Sequence, residues 1–513
     1  MKKVLLFVLS IGLLGFISSC GTDDNGTGTA ISISGIPATA TVKQGETLTV
    51  SGVALTADAG FAAFAVTVDG GNPVNLGSLI TVGETSATVT IEFNTADLAL
   101  GNRTLVFTLT DAAGATAVAT HVLAVEDPAP QEIKTGLLNA DETWTADNIY
   151  ILSGRVVVDA GVTLTIEPGT IIKGEEGDGS LASALIVARG GKLMANGTAD
   201  NPIIFTSVLD NITIGETAGT NLTFEDNGLW GGILVLGNAP ISADAASVQI
   251  EGIPADDTFG LYGGDNATDN SGVINYVSIR HGGTLIGEGN EINGLTLGGV
   301  GSGTTISNIE VMANKDDGIE WFGGTVNVTN ALVYAADDDA LDVDQAYSGT
   351  LDNYIVIAFA GTDHALEIDG PEGAASGKFT FTNGTVKGFD DEMADFRDGA
   401  MGTVQNTYFF NFPNPATASG EGDLELDAGD NNDLDGTSVN YQNGDLIISG
   451  NEFNPPAGLT IADFVSDKFS ANNTAFQTQM AVDNSIVSTA TVGADASVFG
   501  WTYASQSGAL ADL

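Results

Sequence analysis

Five copies of one short phrase place carboxylates at matching offsets along a single stretch of this chain. They read DDGIEWF from Asp316, DDALDVD from Asp338, DHALEID from Asp363, DEMADFR from Asp391 and EGDLELD from Glu421. A second phrase, apolar-x-Asn-x-x-apolar, alternates with the first: ISNIEV, VTNALV, LDNYIV, FTNGTV, VQNTYF and YQNGDL. Its asparagines are Asn308, Asn330, Asn353, Asn383, Asn406 and Asn443. The central acids Glu320, Asp342, Glu367, Asp395 and Glu425 lie 22, 25, 28 and 30 residues apart, and Thr296 in GLTLGG sits 24 residues before the first. A period in the low twenties that stretches in places describes one coil of a solenoid with loops inserted at its turns.

The pleat of a strand assigns faces to the phrase, because successive side chains point to opposite sides. Ile319 and Trp321 flank Glu320, Leu341 and Val343 flank Asp342, Leu366 and Ile368 flank Glu367, and Leu424 and Leu426 flank Glu425. The apolar pairs therefore point into the bore and the acids point out. A slip of one residue would bury every acid in the bore, so the register is strongly specified. The asparagines are expected to hydrogen-bond from coil to coil, as stacked amides do. Adjacent coils stack about 4.8 Å apart. Two bare carboxylates at that distance repel by about 0.9 kcal/mol in bulk water and by several times more at a lower effective dielectric. Five in a column call for compensation. The preceding turns add Asp316, Asp317, Asp338, Asp339, Asp363, Asp391 and Glu392, and a second outward column reads Phe322, Asp344, Asp369, Arg397 and Asp427. Oxygen ligands from two coils can meet the six to eight that Ca²⁺ takes. The expected calcium set is Asp338, Asp339, Asp342, Asp344, Glu367 and Asp369. A weaker calcium loop is Asn431, Asp433, Asp435 and Gly436, where Gln442 stands in place of the closing bidentate Glu.

The rest of the chain sets the context. It has 513 residues, 15 Lys and Arg against 66 Asp and Glu, and a net charge of -51. Such acidity argues against nucleic acid and anionic membrane surfaces as partners. Sixty-seven glycines and a wealth of Val, Ile and Thr favour short strands and tight turns. Cys20 is the single cysteine, so no intrachain disulfide forms. Lys2 and Lys3, an apolar run from Val4 to Ile17 and then Ser18-Ser19-Cys20 resemble a bacterial lipoprotein signal, residues 1–19, in which Cys20 is lipidated. Residues 20–29 read as a flexible tether, and Gly21-Thr22-Asp23-Asp24-Asn25 resembles the export signal of surface-exposed lipoproteins in Bacteroidota. The expected location is the outer membrane, facing outward on a lipid anchor. Residues 30–126 alternate in about seven strands and suggest a β-sandwich, with TLTDAAGATAVATHVLAV resembling the last hairpin of immunoglobulin-like or cadherin-like domains. Residues 127–133 form a Pro-containing linker, 134–460 the solenoid, and 461–513, with Phe464, Phe469 and Phe476, a segment expected to cap the open end of the bore. The other end is expected to close near Thr143 and Trp144.

With the Asn phrase, LTIEPGTIIKG and NPIIFTS resemble the right-handed parallel β-helix of the pectin-lyase-like fold, and DDGIEWFGGTVNVTNALVYAADDDALDVDQ and YVSIRHGG resemble secreted or lipid-anchored β-helix proteins of Bacteroidota. The resemblance implies an all-β chain, a right-handed parallel β-helix preceded by a small immunoglobulin-like β-sandwich, and no particular activity. The residues favour a structural or binding role: calcium-supported glycan or matrix binding through an acidic face. The alternative is a polysaccharide lyase or glycoside hydrolase working near Arg397, with Asp395, Asp369 and His364 beside it. β-Helix lyases pair carboxylate-bound calcium with an Arg or Lys base, and β-helix hydrolases use paired Asp residues. Neither pattern is complete here, since Gly-His-Gly and Arg-x-Lys are absent. Arg280 and His281 in YVSIRHGG are expected to form a coil turn. Zinc, serine-triad and phosphate-loop patterns are missing.

Overall fold

The computed structural model describes residues 30–513 except 100, 127, 252, 254–257, 285–291, 419–421, 427–435 and 469–472. The expected signal, the tether with Cys20, and the second calcium loop at Asn431, Asp433 and Asp435 lie outside the described residues. The chain divides into two compact units at Pro128/Ala129.

The first unit has a three-stranded and a five-stranded sheet. Alternation along its strands, such as Gly101–Asp111, sends every second side chain inward. Val53, Leu55 and Ile91 from one sheet join Phe64, Phe107 and Leu123 from the other in one apolar core. His121 is fully buried there, with Nδ1 2.8 Å from the Pro37 carbonyl.

The second unit is a right-handed parallel β-helix in which, among the described residues, 26 strands join in one sheet that winds through three faces, with a separate two-stranded antiparallel ribbon, Val248–Gln249 and Leu261–Tyr262, on an insertion. One face stacks Leu295–Gly298, Ile319–Phe322, Leu341–Asp344, Leu366–Ile368, Ala394–Phe396 and Leu424–Leu426 in parallel. Thr296, Glu320, Asp342, Glu367, Asp395 and Glu425 stand directly beside one another in that register. Their neighbours Ile319, Trp321, Leu341, Val343, Leu366, Ile368, Leu424 and Leu426 are all at most 1% exposed and line the continuous bore. Each such side chain contributes about 1.5–3 kcal/mol on burial, so the apolar pairs are what hold the coils together.

The asparagine ladder runs further up the helix than the repeated phrase does. Asn275 donates to Asn196 (2.9 Å), Asn308 to Asn275 (2.8 Å), Asn330 to Asn308 (2.9 Å) and Asn353 to Asn330 (2.7 Å). Asn383 then donates to Asp352 instead, and Asn443 is no ladder member because it ends a helix, Gly436–Asn443. Asn308, Asn330, Asn353, Asn383 and Asn406 all have φ between 54° and 63°. Asn tolerates this left-handed conformation better than other non-glycine residues, so one residue type serves both the turn and the ladder. Replacing Asn330 by Ala should cost about 3 kcal/mol, from backbone strain and two lost hydrogen bonds. Asn330→Gly should recover about 1 kcal/mol of that by relieving the strain. Denaturant unfolding of the two variants separates the contributions.

At the first coil Trp144 stacks on Tyr150 at 4.9 Å, with the Lys134 amine over both rings. At the other end Phe464, Val465, Phe476 and Met480 enter the bore. The segment expected as a cap, 461–513, therefore divides its work. Helix Asn473–Asp483 covers the last layer, whereas the stretch from Ala494 to Leu513 does not cap but runs along the outside of the coils. Phe499, Ala504 and Leu510 pack there on Met312, Leu332, Tyr334, Ile355 and Ile357. The physical reason lies in strand segments such as ALVYAA and YIVI, which are apolar on both faces and need cover outside as well as inside.

Candidate functional site: an acidic chamber on one face of the coils

The outward acids are not a solvated face. Glu320, Asp342, Glu367, Asp395 and Glu425 are only 6%, 7%, 9%, 4% and 2% exposed. Insertions between coils cover the first three of them. Tyr262, from one insertion, packs on Phe322 and donates to Gln345 (2.9 Å), whose own amide donates to Glu372 (3.1 Å). Glu251, Ile292 and Asn293, also on inserted segments, line a cavity of about 220 Å³ over Glu320, Asp342 and Glu367. Burial strips water from the carboxylates, so repulsion between neighbours acts at a low effective dielectric.

In its later coils the chamber is neutralised by the protein's own cations. Arg397 pairs with Glu367, with Asp369 (Nε to Oδ1, 2.6 Å) and with Asp395 (3.7 Å). His364 Nδ1 lies 2.8 Å from Asp339 Oδ1, and its Nε2 lies 3.5 Å from Glu392. Lys468 pairs with Glu425. Burial works against the His364 charge, but the bonds to Asp339 and Glu392 push its pKa up to about 12. Asp339 ends below the usual carboxylate range because His364 outweighs its burial. Burial and the Asp339 charge push Glu367 up to about 9. Although burial opposes it, the charges of Glu367 and Asp369 raise the Arg397 pKa still further. Arg397 is thus a permanent cation locked among carboxylates, and it has no means of accepting a proton as a base.

The earlier coils differ. Asp317, Glu320 and Asp342, all buried, can each bring a carboxylate oxygen within 4.8 Å of the others, and so can Asp316, Asp317 and Asp338. Glu320 accepts a hydrogen bond from Asn293, and Asp317 accepts one from the Asp339 N–H (3.1 Å). Oδ1 of Asp342 is buried and makes no hydrogen bond. Among the described residues no Lys, Arg or His pairs with Asp317, Glu320 or Asp342. Burial, followed by neighbouring carboxylates, holds all three, with Asp344, well above their usual range. Such a set lowers its energy either by retaining protons or by taking a cation, and hard oxygen donors from two coils suit Ca²⁺.

The structure therefore divides the residues expected from the sequence. Asp339, Glu367 and Asp369 of the calcium set are engaged by His364 and Arg397, whereas Asp338, Asp342 and Asp344 lie with Asp317 and Glu320 toward the earlier coils. The four catalytic candidates Arg397, Asp395, Asp369 and His364 all lie in or beside the later part of the chamber, where they neutralise one another. Sequence reading missed Asp317 and Glu320 as the densest group, and Asn293 and Glu251 as contributors, because nothing local in a sequence states where an insertion folds back. Outside the chamber, Arg280 is no turn residue. It ends strand Gly272–Arg280 and is 1% exposed. His281, with φ 62°, does make the turn, with Nδ1 2.5 Å from the Asp226 carbonyl.

A family model described as a pectate-lyase-like β-helix domain matches residues 136–502. Among solved structures the chain is similar to a family 28 exopolygalacturonase from Yersinia enterocolitica, at 10% identity over 82% of this chain and 85% of that one, with a TM-score of 0.18. It is also similar to pectate lyase Pel3 from Pectobacterium carotovorum, at 9% identity over 87% and 98% of the two chains, with a TM-score of 0.13. Likenesses this slight carry no argument about the site. No curated protein matches.

Proposed function

The chain belongs to the pectate-lyase-like β-helix family, and from that premise we propose that it processes extracellular polysaccharide at the acidic chamber with the help of a bound calcium ion. The observation that carries the reading is the buried trio Asp317, Glu320 and Asp342, within 4.8 Å of one another, with Asp342 Oδ1 lacking a hydrogen bond. Asp316, Asp338 and Asp344 supply further oxygens beside them. When bound, the ion offsets carboxylate repulsion and presents positive charge to an anionic sugar, which a chain of net charge -51 would otherwise repel. The family description supports cleavage as the task. The lipoprotein-like N-terminus around Cys20 supports an outer-membrane, surface-exposed location.

A second reading, binding to glycan or matrix without cleavage, is favoured by Arg397. Three carboxylates lock this arginine, so it offers no base for a lyase. A product assay separates the two. A panel of uronate-containing and neutral polysaccharides is incubated with the protein, with Ca²⁺ or with EDTA, and new reducing or unsaturated ends are measured. Cleavage predicts products that require Ca²⁺ and fall at least tenfold in Asp342→Asn. Calcium-dependent retention on a glycan array without products assigns binding instead. Absence of both removes polysaccharide from the picture.

A further inference from the structure

The bore does not end in solid packing. Between helices Gly436–Asn443 and Asn473–Asp483 and strand Leu446–Ser449 lies a cavity of about 470 Å³. That volume falls within the roughly 300–1,000 Å³ of small-molecule sites. The cavity shares no lining residue with the acidic chamber. Leu446 and Ile448, each 1% exposed, give it an apolar floor. Tyr441 and Phe476 give it an aromatic wall, edge to face at 4.9 Å.

Two buried polar atoms at this cavity have no partner. Asp467 is 3% exposed; its Oδ2 accepts from Ser438 (2.5 Å), while its Oδ1 makes no hydrogen bond. The Tyr441 hydroxyl is also buried without a partner. Burial, and then the charge of Asp483, pushes this phenol up, so it stays a neutral donor. Buried polar atoms in folded proteins nearly always have partners, so an acceptor and a donor left open at one cavity point to something that supplies both.

The lining narrows the chemistry. No Lys, Arg or His is among the described lining residues while Asp467 and Asp483 are, so an anion would meet two carboxyl groups and no opposite charge. A purely apolar ligand would leave Asp467 and Tyr441 unsatisfied. Calcium favours several converging carboxylates, and among the described residues no group of three acidic side chains meets at this cavity as it does in the chamber. A ring with hydroxyls on its rim and C–H groups on its faces satisfies all three constraints. One hydroxyl donates to Asp467, another accepts from Tyr441, and a C–H face lies against Phe476. We infer that this cavity binds a neutral sugar ring, as a site separate from the chamber. The inference stands on the cavity alone and holds whether or not the chamber cleaves anything.

The test is saturation-transfer NMR and calorimetry on the full chain with a panel of neutral monosaccharides, and with glucuronate and galacturonate as anionic controls. The expected result is binding of at least one neutral sugar and none of the uronates. Tyr441→Phe keeps the aromatic wall and removes one hydrogen bond, so affinity should fall about 2- to 12-fold. Ala475→Trp places a large ring at the cavity from an exposed helix position and should abolish binding without changing the melting temperature. If Ala475→Trp does not fold, Tyr441→Phe decides. Equal binding by uronates, binding insensitive to Tyr441→Phe, or no transfer to any neutral sugar would overturn the proposal.

Discussion

Replacing Glu310 by alanine should destabilise the β-helix by about 3–5 kcal/mol, the cost of leaving a buried charge without its partner. Glu310 is fully buried and Arg280 is 1% exposed, with 3.6 Å between Arg280 and the carboxylate. Glu310 also accepts from the Ser278 hydroxyl (2.6 Å) and from the backbone N–H groups of Tyr503 (3.0 Å) and Ala504 (2.9 Å). Arg280 lies under the Tyr503 ring at 5.3 Å and donates to the Thr217 carbonyl (2.9 Å). One carboxylate thus secures the C-terminal segment to the outside of the coils while neutralising the guanidinium below it. Denaturant unfolding gives the energy, and limited proteolysis gives the place, since cleavage between residues 494 and 513 should precede loss of the coils. Glu310→Gln retains an acceptor and should fall between wild type and Glu310→Ala. A change under about 1 kcal/mol, the range of an exposed pair, would falsify the account of this ion pair.

The second large effect concerns pH and calcium. Burial and the Asp339 charge raise Glu367 from the ordinary 4.5 to about 9 in the folded protein, although Arg397 opposes the shift. A raised carboxyl pKa stabilises the fold below the unfolded value, and that contribution is lost as pH rises through the folded value. Asp317, Glu320, Asp342 and Asp344 shift in the same direction. His364, raised from 6.5 to about 12, adds to the same trend above pH 6.5. Without divalent cations the melting temperature should therefore fall by several degrees between pH 5 and pH 9. Calcium should stabilise the fold most at the alkaline end, where no protons compete, by about 2.7 kcal/mol at a hundredfold excess over Kd. Asp342→Asn should be more stable than wild type at pH 8 without calcium, and should respond less to it. Scanning calorimetry at several pH values, with EDTA and then with excess Ca²⁺, measures all of this. A pH-independent melting temperature that ignores calcium would remove both the strained chamber and its ion.

Much of the coil was legible because its signals are local and periodic. The phrase around Asp342 states strand, register and bore in four residues, since Leu341 and Val343 can only be buried if Asp342 faces away. The asparagines announced the turn because few other residues accept their φ. The Asn196 and Asn275 rungs were less visible, separated from the repeat by long insertions. Asn443 shows the converse, since its phrase matched the repeat but the local chain formed a helix. At the site, the sequence named Asp338, Asp342 and Asp344 but took Glu367 and Asp369 as equivalent to them. Their difference comes from Arg397, whose partners are 28 and 30 residues away in the chain.

The residues alone determined the solenoid, its inward and outward faces and the alignment of the acids, because each depends on a two-residue pleat repeated at coil spacing. Only the tertiary structure decided that the outward acids are buried, that the later ones already have cations, and that the C-terminal tail runs along the coils instead of capping them. Those outcomes depend on where insertions and termini fold back over distances of tens to hundreds of residues, and no periodicity carries that information. Burial is what changes the chemistry: the same carboxylates that would sit ionised in water are driven, under the insertions, to hold a proton or a cation.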